Sequence, residues 1–381
     1  MGHTARSSGK QRRSKRGSLV VLMGWLGLFA VAAAQTAVML PPSVTPLPAL
    51  AGLGFPVGAV LLLAGCYTAW RQRRWKAGSL MLVALVMTAP LFRATWGCAG
   101  CGTQEGAGPE FAVVSWNVRL YDHYGWVGGE SETGRSDVRK GIMAAIEDAA
   151  PDVLCVQEHF ELTDRAAFPV VQPLNAAVGR GAPAYSHVVI ARSKKDRRFG
   201  LATWSKWPIV GRSSIAFGTR NNNVCAITDV DWDGDTVRIF NAHFSSLRFE
   251  EEDYAALEEG VPNAEGRERI WGRMRSAYVN RVDQVTQVME AVESSPHPVV
   301  LCGDFNDTPT SWALAHCRAA LQDSHDARFL SMDGTWQGPL PGVRIDHILV
   351  GEDWSVQSHE TGGEGLSDHR FVKAVMQGVR P

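Results

Sequence analysis

The sequence predicts a layered α/β domain with mixed sheets, preceded by hydrophobic segments long enough to cross a membrane. Three observations carry this. Residues 1–100 are mostly apolar and hold eleven Lys and Arg but no Asp or Glu. From residue 110 onward, short apolar runs alternate with amphipathic stretches, the rhythm of strands and helices stacked in layers. Within that rhythm Asp233-Gly234 separates two apolar runs, a hairpin signal that adds an antiparallel pair. With 45% hydrophobic and 20% charged residues the chain is neither disordered nor fibrous. Its 381 residues carry a net charge of −1, but removing the first hundred leaves 27 basic and 39 acidic residues, a net of −12. That remainder is long enough for a large core.

The elements follow in order. Residues 1–17 form a basic segment, with its charge concentrated in Lys10–Arg16. Residues 18–96 are read as a membrane region of two to three transmembrane helices: Ser18–Leu40, Ala49–Trp70, and a weaker third run from Ala77 past Leu91 that contains Arg93. About 20 apolar residues suffice for a crossing, and a terminal Arg can snorkel to the interface. Basic loops stay in the cytoplasm, so the N-terminus and Arg71–Lys76 belong on one side and the acidic remainder lies extracytoplasmic in a multi-pass protein of the cell membrane. A signal peptide cleaved near Ala32-Ala33-Ala34 is the alternative, and it leaves the domain on the same face. Residues 97–109 are Gly-rich and read as a linker, with Cys98 and Cys101 available for a disulfide or lipid attachment.

Residues 110–381 are read as one layered domain. Strands are expected at Phe111–Trp116, Val153–Val156, Val224–Val230, Val237–Phe240, Val299–Cys302, Arg344–Val350 and Phe371–Met376. Helices are expected at Val138–Ala149, ended by Pro151, and at Ser276–Glu293, where Val279, Val282, Val285, Met289 and Val292 recur at helical spacing. Arg248–Arg269 is polar, acidic and aperiodic, and reads as a surface excursion. Cys155, Cys225, Cys302 and Cys317 read as small core residues, and His159, His187 and His347 as packed or solvated side chains.

Polar residues stand immediately after several of these strands. Asn117 follows the first, Gln157-Glu158 the second, Asn241-Ala242-His243 the fourth and Gly303-Asp304-Phe305-Asn306 the fifth. Asp346 lies in the next, and Ser367-Asp368-His369 precedes the last. Layered sheets gather strand ends into one cleft. The set supplies oxygen ligands suited to Mg²⁺ or Mn²⁺, and imidazoles suited to proton transfer. Singly, such residues usually cap turns; at six strand ends together they point to a site.

In this order, Ser115-Trp116-Asn117-Val118, Gln157-Glu158, Asn241-Ala242-His243, Gly303-Asp304-Phe305-Asn306, Arg344-Ile345-Asp346-His347-Ile348 and Ser367-Asp368-His369 resemble the endonuclease/exonuclease/phosphatase superfamily. That group comprises DNase-I-like nucleases, sphingomyelinases and inositol-polyphosphate phosphatases. Gly200–Ser205 with Pro208 resembles its central strand motif, and the N-terminal segments resemble a membrane-anchored bacterial subgroup. The resemblance implies a four-layer sandwich of two mixed β-sheets flanked by helices, and a Mg²⁺- or Mn²⁺-dependent phosphoesterase. It implies Glu158 as the principal metal carboxylate, with Asn117 and Asp368 in or beside the metal shell. Asp304 would orient or deprotonate water and Asn306 hold water or phosphate. His369, held by Asp346, would stabilise or protonate the phosphoryl oxygen, and His243 would be a second acid. His243 also sets the chain apart from abasic-site endonucleases, whose members carry a tyrosine motif in that region.

Arg119 and Arg281 are candidate phosphate contacts, because Arg forms paired bonds with phosphate oxygens, while Trp336 reads as packed beside the cleft. The expected substrate is a phosphodiester such as a lipid headgroup or nucleotide, with the lipid bilayer as partner through the N-terminal helices. An extracytoplasmic endonuclease is the alternative, and a catalytically inactive binding module on the same fold is the second. Nucleic acid is disfavoured, since its binding draws mainly on a surplus of Lys and Arg that a domain at −12 lacks.

Overall fold

The computed structural model describes residues 4–98, 106, 108–218, 223–247, 264–338, 340 and 342–378. The chain divides into two compact units, one comprising the chain to Thr95 with Pro309–Ala315, the other the remainder.

In the first unit α1 (Thr4–Met39) contains Leu19–Met39, a stretch long and apolar enough to cross a membrane. The second and third runs are broken rather than straight. Helices α2 (Leu47–Leu53) and α3 (Phe55–Arg71) meet at 64°, and α4 (Trp75–Met87) and α5 (Ala89–Trp96) at 56°. Pro56 and Pro90 lie in the first turn of the second helix of each pair, where a missing N–H costs no hydrogen bond, and the breaks fall at Gly54 and Thr88. Each pair reaches spanning length only if its two halves are taken together. Helices α1 and α3 touch through glycines: a Cβ on Gly65 would lie 2.3 Å from the Gly24 Cα. Such close backbone approach is the usual way helices associate in lipid. Leu26, Phe29, Val57 and Val86 meanwhile point outward.

The second unit holds two six-stranded sheets. The first runs β11-β12-β1-β2-β4-β3 and the second β5-β6-β7-β8-β10-β9. Its strands are β1 (Glu110–Asn117), β2 (Val153–Leu162), β3 (Tyr185–Lys194), β4 (Arg197–Ser205), β5 (Ile209–Ala216), β6 (Val224–Trp232), β7 (Asp235–His243), β8 (Val299–Asp304), β9 (Gln322–Asp323), β10 (Asp346–Val350), β11 (Trp354–Gly362) and β12 (Phe371–Gly378). Each sheet has one parallel pair, β1 with β2 and β7 with β8, and antiparallel neighbours elsewhere. The crossovers are α6 (Glu132–Ala149) and α8 (Ala264–Glu293); a shorter α7 (Val171–Gly179) lies between β2 and β3. Asp233 and Gly234 both have positive φ, 54° and 92°, the paired left-handed geometry of a tight hairpin.

Strand alternation decides which side chains go where. Phe111, Val113, Val153 and Cys155 face Val237, Ile239, Val300, Cys302, Ile348 and Val350 of the other sheet. Val114, Trp116, Leu154 and Val156 face the opposite way, against Val138, Ile142 and Ile146 of α6 and Leu174 and Val178 of α7. Both faces of the central strands are therefore buried, which explains why they read as continuous apolar runs rather than alternating ones. The four cysteines read as core are buried and free.

Some elements differ from expectation. Helix α8 starts at Ala264, so the last part of the supposed excursion is helical, while 248–263 lies outside the described residues. Its buried stripe includes Tyr278, Arg281, Gln284, Val285 and Met289, with Val279 and Val282 at its edge. Strand β2 runs six residues past Val156. At the linker, Trp96 O accepts from Ser331 N and Cys98 N donates to Asp326 O, so the chain is pinned before any tether begins. Cys98 is disulfide-bonded, and Cys101 lies outside the described residues.

Candidate functional site

The site forms where the carboxyl ends of β1, β7 and β8 meet. Parallel pairing aligns Asn117 with Gln157, and His243 with Asp304; antiparallel pairing sets Asp346 directly opposite Asp304. Gly303 makes this approach possible, because a Cβ there would lie 1.9 Å from the Ala242 carbonyl oxygen. Glu158 has φ 51° and sits in a register shift between β2 and β4. A bulge of this kind turns one side chain out of the strand's alternation and into the cleft.

Asp304 is the hub. Its Oδ2 accepts from Asn117 Nδ2 at 3.0 Å and lies 3.6 Å from His243 Nε2 and 3.9 Å from His369 Nε2. Its Oδ1 accepts from the Asn306 backbone N–H at 2.9 Å. Asn117 Nδ2 also reaches Glu158 Oε1 at 3.3 Å, and Asp346 Oδ2 meets His369 Nδ1 at 2.8 Å. Asp368 Oδ2 is 3.4 Å from Arg119 Nε. Asn306 adopts φ 51° and donates through Nδ2 to Phe244 O.

The electrostatics separate two halves. Burial works against a charged His369, but Asp346, Asp304 and Asp368 outweigh it and hold its pKa well above the ordinary value, which favours the imidazolium. Burial raises the pKa of Asp346, with Asp304 adding repulsion and His369 opposing both. Burial likewise raises Glu158, and Asp368 adds repulsion that His243, His369 and Asn117 only partly relieve. Ligand atoms of Asp304, Asp346 and His369 lie within 4.8 Å of one another, an acidic cluster that could hold a metal ion. Yet His369 Nδ1 and Asp346 Oδ2 already share a proton there. Glu158 is raised by burial and by Asp368, and a divalent ion beside Asn117 and Asp368 would relieve both.

The structure thus brings Asn117, Glu158, His243, Asp304, Asn306, Asp346, Asp368 and His369 together, with Arg119 at the mouth. Arg281 is the exception. It is buried in α8, donates to Ser245 O and Asn306 O, and pairs with Asp307 at 3.2 Å. It is placed to hold Asn306, not to touch phosphate, because the periodicity of α8 turns position 281 inward.

Sequence reasoning gave no individual role to the supporting residues, though most of them lie in its motifs. Thr335 Oγ1 accepts from the N–H groups of Ile345 and Asp346. Ser367 Oγ donates to Asn117 O, and Trp116 Nε1 donates to His369 O. Gln157 Nε2 bonds Ser115 Oγ and Asn241 Oδ1, tying the two sheets together beneath the site. Ser115 inside an apolar strand was a usable signal for the last of these. His159, His187 and His347 are packed, bonded to Tyr121, Thr228 and Asp307 O respectively.

Two layered mixed sheets with carboxylates, amides and imidazoles converging at their strand ends define the phosphoesterase and nuclease class of α/β fold. The endonuclease/exonuclease/phosphatase family pattern matches residues 114–369, and the chain belongs to that family. Among curated proteins no sequence matches it significantly. Among solved structures, the human nocturnin catalytic domain with bound sulfate is 18% identical, covering 71% of this chain and 94% of that one with a TM-score of 0.49. A family protein from Beutenbergia cavernae is 17% identical over 71% and 72%, also at 0.49. A mannosyl-6-phosphatase of Bacteroides thetaiotaomicron is 17% identical over 70% and 99%, at 0.47.

Proposed function

We propose that the protein is a membrane-anchored, divalent-metal-dependent phosphoesterase that hydrolyses a phosphodiester by in-line attack of water. The observation that carries this is the hub at Asp304, one carboxylate within reach of an amide and two imidazoles, one of them held cationic by Asp346. A Mg²⁺ or Mn²⁺ ion beside Glu158, Asn117 and Asp368 would offset the charge of the substrate phosphate and of the carboxylates. Asp304 accepts the proton of the attacking water as its oxygen bonds to phosphorus. The bond to the leaving oxygen breaks, and His243 faces that oxygen as the acid. The His369 imidazolium stabilises charge on the phosphoryl oxygen, with Asp346 fixing its ring. Asn306, held by Phe244 O and Arg281, positions the phosphate or water.

Anchoring rests on the apolar Leu19–Met39 stretch and the outward-facing apolar side chains of α1 and α3. Several crossings with the domain outside the cytoplasm follow from the basic loops, and the Cys98 disulfide suits an oxidising compartment. The test is hydrolysis of bis-p-nitrophenyl phosphate by the intact chain in detergent with Mg²⁺ or Mn²⁺. Asp304→Asn, Glu158→Gln and His369→Gln should each lose about 10²–10⁴-fold in turnover while keeping the wild-type melting transition. Near-wild-type turnover in all three variants would overturn the assignment.

A further inference from the structure

The chain enters the second unit bound from its first residue to one surface loop. Trp96, the final residue of α5, accepts through its carbonyl from Ser331 N at 3.0 Å, and Cys98 N donates to Asp326 O at 3.3 Å. Gly97 lies between them at φ 74°, so close that a Cβ there would meet the Arg328 and His325 carbonyl oxygens at 2.4 and 2.8 Å. Residues 96–98 therefore run alongside 325–331. Wherever the chain emerges from lipid at the end of α5, that segment emerges with it.

That loop is stapled at its base and apolar at its tip. Asp333 holds both of its sides, accepting from Arg328 Nε at 2.9 Å and from Ser331 Oγ at 2.6 Å, and Arg328 N donates to His325 O. Between these staples stand Phe329 and Leu330, 70% and 71% exposed. They are the most exposed large hydrophobic side chains of the second unit among the described residues. Leu330 has φ 52°, a left-handed conformation that a bulky side chain rarely adopts. Strain that turns a leucine toward water adds nothing to the core. It marks a side chain placed for contact outside the fold.

We propose that Phe329 and Leu330 dip into the interface of the bilayer that anchors the chain, giving the second unit its own hold on the membrane beside Trp96. The inference rests on the anchoring reading above and goes beyond it, since an anchor alone requires no residue after α5 in lipid. Three features select a bilayer as the partner. The loop is fixed to the residue where an apolar helix ends, and that residue is a tryptophan, the side chain enriched at lipid–water boundaries. Its tip sets an aromatic beside an aliphatic side chain, both of which gain by leaving water for the acyl boundary. Its arginine, Arg328, is neutralised by Asp333, and residues 101–381 sum to −12, so attraction to anionic headgroups does not hold it. The contact is apolar and indifferent to headgroup charge. Downstream of the loop, Thr335 accepts from Ile345 N, Asp346 N and Arg370 N, which braces the docked segment against the strand ends of the site.

The test is spin-label accessibility in the intact chain, carrying Cys66→Ser and reconstituted in phosphatidylcholine nanodiscs. The other free cysteines among the described residues are buried. Labels are placed singly on Leu330→Cys, on Leu26→Cys in α1 and on Val210→Cys in β5, all exposed positions. The label at 330 should favour oxygen over a water-soluble nickel chelate, as at 26, at a depth of about 5–10 Å into the headgroup–acyl boundary. The label at 210 should favour nickel. Phe329→Ser should shift the docked-to-free ratio read at 330 about tenfold toward free, through loss of one buried ring, without moving the melting transition. Salt at about 1 M, which screens charges beyond about 3 Å, and phosphatidylserine in the discs should leave the depth unchanged. A nickel-accessible label at 330 with a lipid-buried label at 26 would overturn the docking and leave the anchor standing. Nickel access at both positions would overturn the anchoring reading, and the docking with it. Shielding at 330 from both reagents would show protein covering the loop, and release by salt would show charge holding it; either overturns the proposal.

Discussion

Asp304 and Arg281 show how differently two charged residues can serve one site. Asp304 lies beside the Asn117 amide and the His243 and His369 imidazoles; Arg281 sits one step back, bonding the Asn306 carbonyl, the Ser245 carbonyl and Asp307 from inside α8. Removing one partner of a buried ion pair strands the other, at a cost of about 3–5 kcal/mol. Arg281→Ala is therefore expected to lower the melting temperature and the turnover together. Arg281→Lys keeps the charge but not the fork, and should recover stability more than turnover. Loss of turnover with unchanged stability in Arg281→Ala would instead point to direct contact with substrate. The sequence showed Arg281 as an arginine, but not that helical phase turns it inward among Tyr278, Gln284 and Val285. Conversely, Asp304, Glu158, Asp346 and His369 were legible because each stands next to an apolar run, where a polar residue must be satisfied or used.

At the scale of elements, legibility followed burial. Central strands such as β1, β2 and β8 are apolar on both faces and could be read directly, as could the Asp233-Gly234 hairpin. Edge elements were missed: β3, β5 and β11 mix exposed with buried positions and carry weak patterns. Strand β11 also holds an element-scale pH dependence. His359 on β11 meets Ser324 and stacks edge-on against His325, both histidines being buried. Burial first, then Arg344, brings the His359 pKa down from 6.5 to about 3, and the same two causes push His325 far below its ordinary value. An unfolded chain takes up these protons near pH 6.5 while the folded one refuses them, so stability should rise with pH between about 3 and 6.5. Each histidine contributes up to about 1.4 kcal/mol per pH unit. Melting temperature measured from pH 6.5 down to 4 should fall, and fall less steeply in His359→Gln. Identical slopes in both proteins would show that His359 is not protonated on unfolding.

For the whole molecule, the net charge of −1 conceals two separate distributions: a basic first hundred residues and an acidic remainder at −12. Both can be counted along the chain. Topology has its own check: an alkaline phosphatase fused after residue 105 should be active outside the cytoplasm, and activity only of a cytoplasmic reporter there would overturn the orientation. The central claim, that strand ends from both sheets assemble a metal-dependent phosphoesterase around Asp304, is tested most directly by metal-dependent turnover. The intact chain should hydrolyse bis-p-nitrophenyl phosphate with Mg²⁺ or Mn²⁺ and stop when EDTA is added, and Asp304→Asn should remain folded and inactive. Turnover that persists in EDTA, or in Asp304→Asn, would contradict the account.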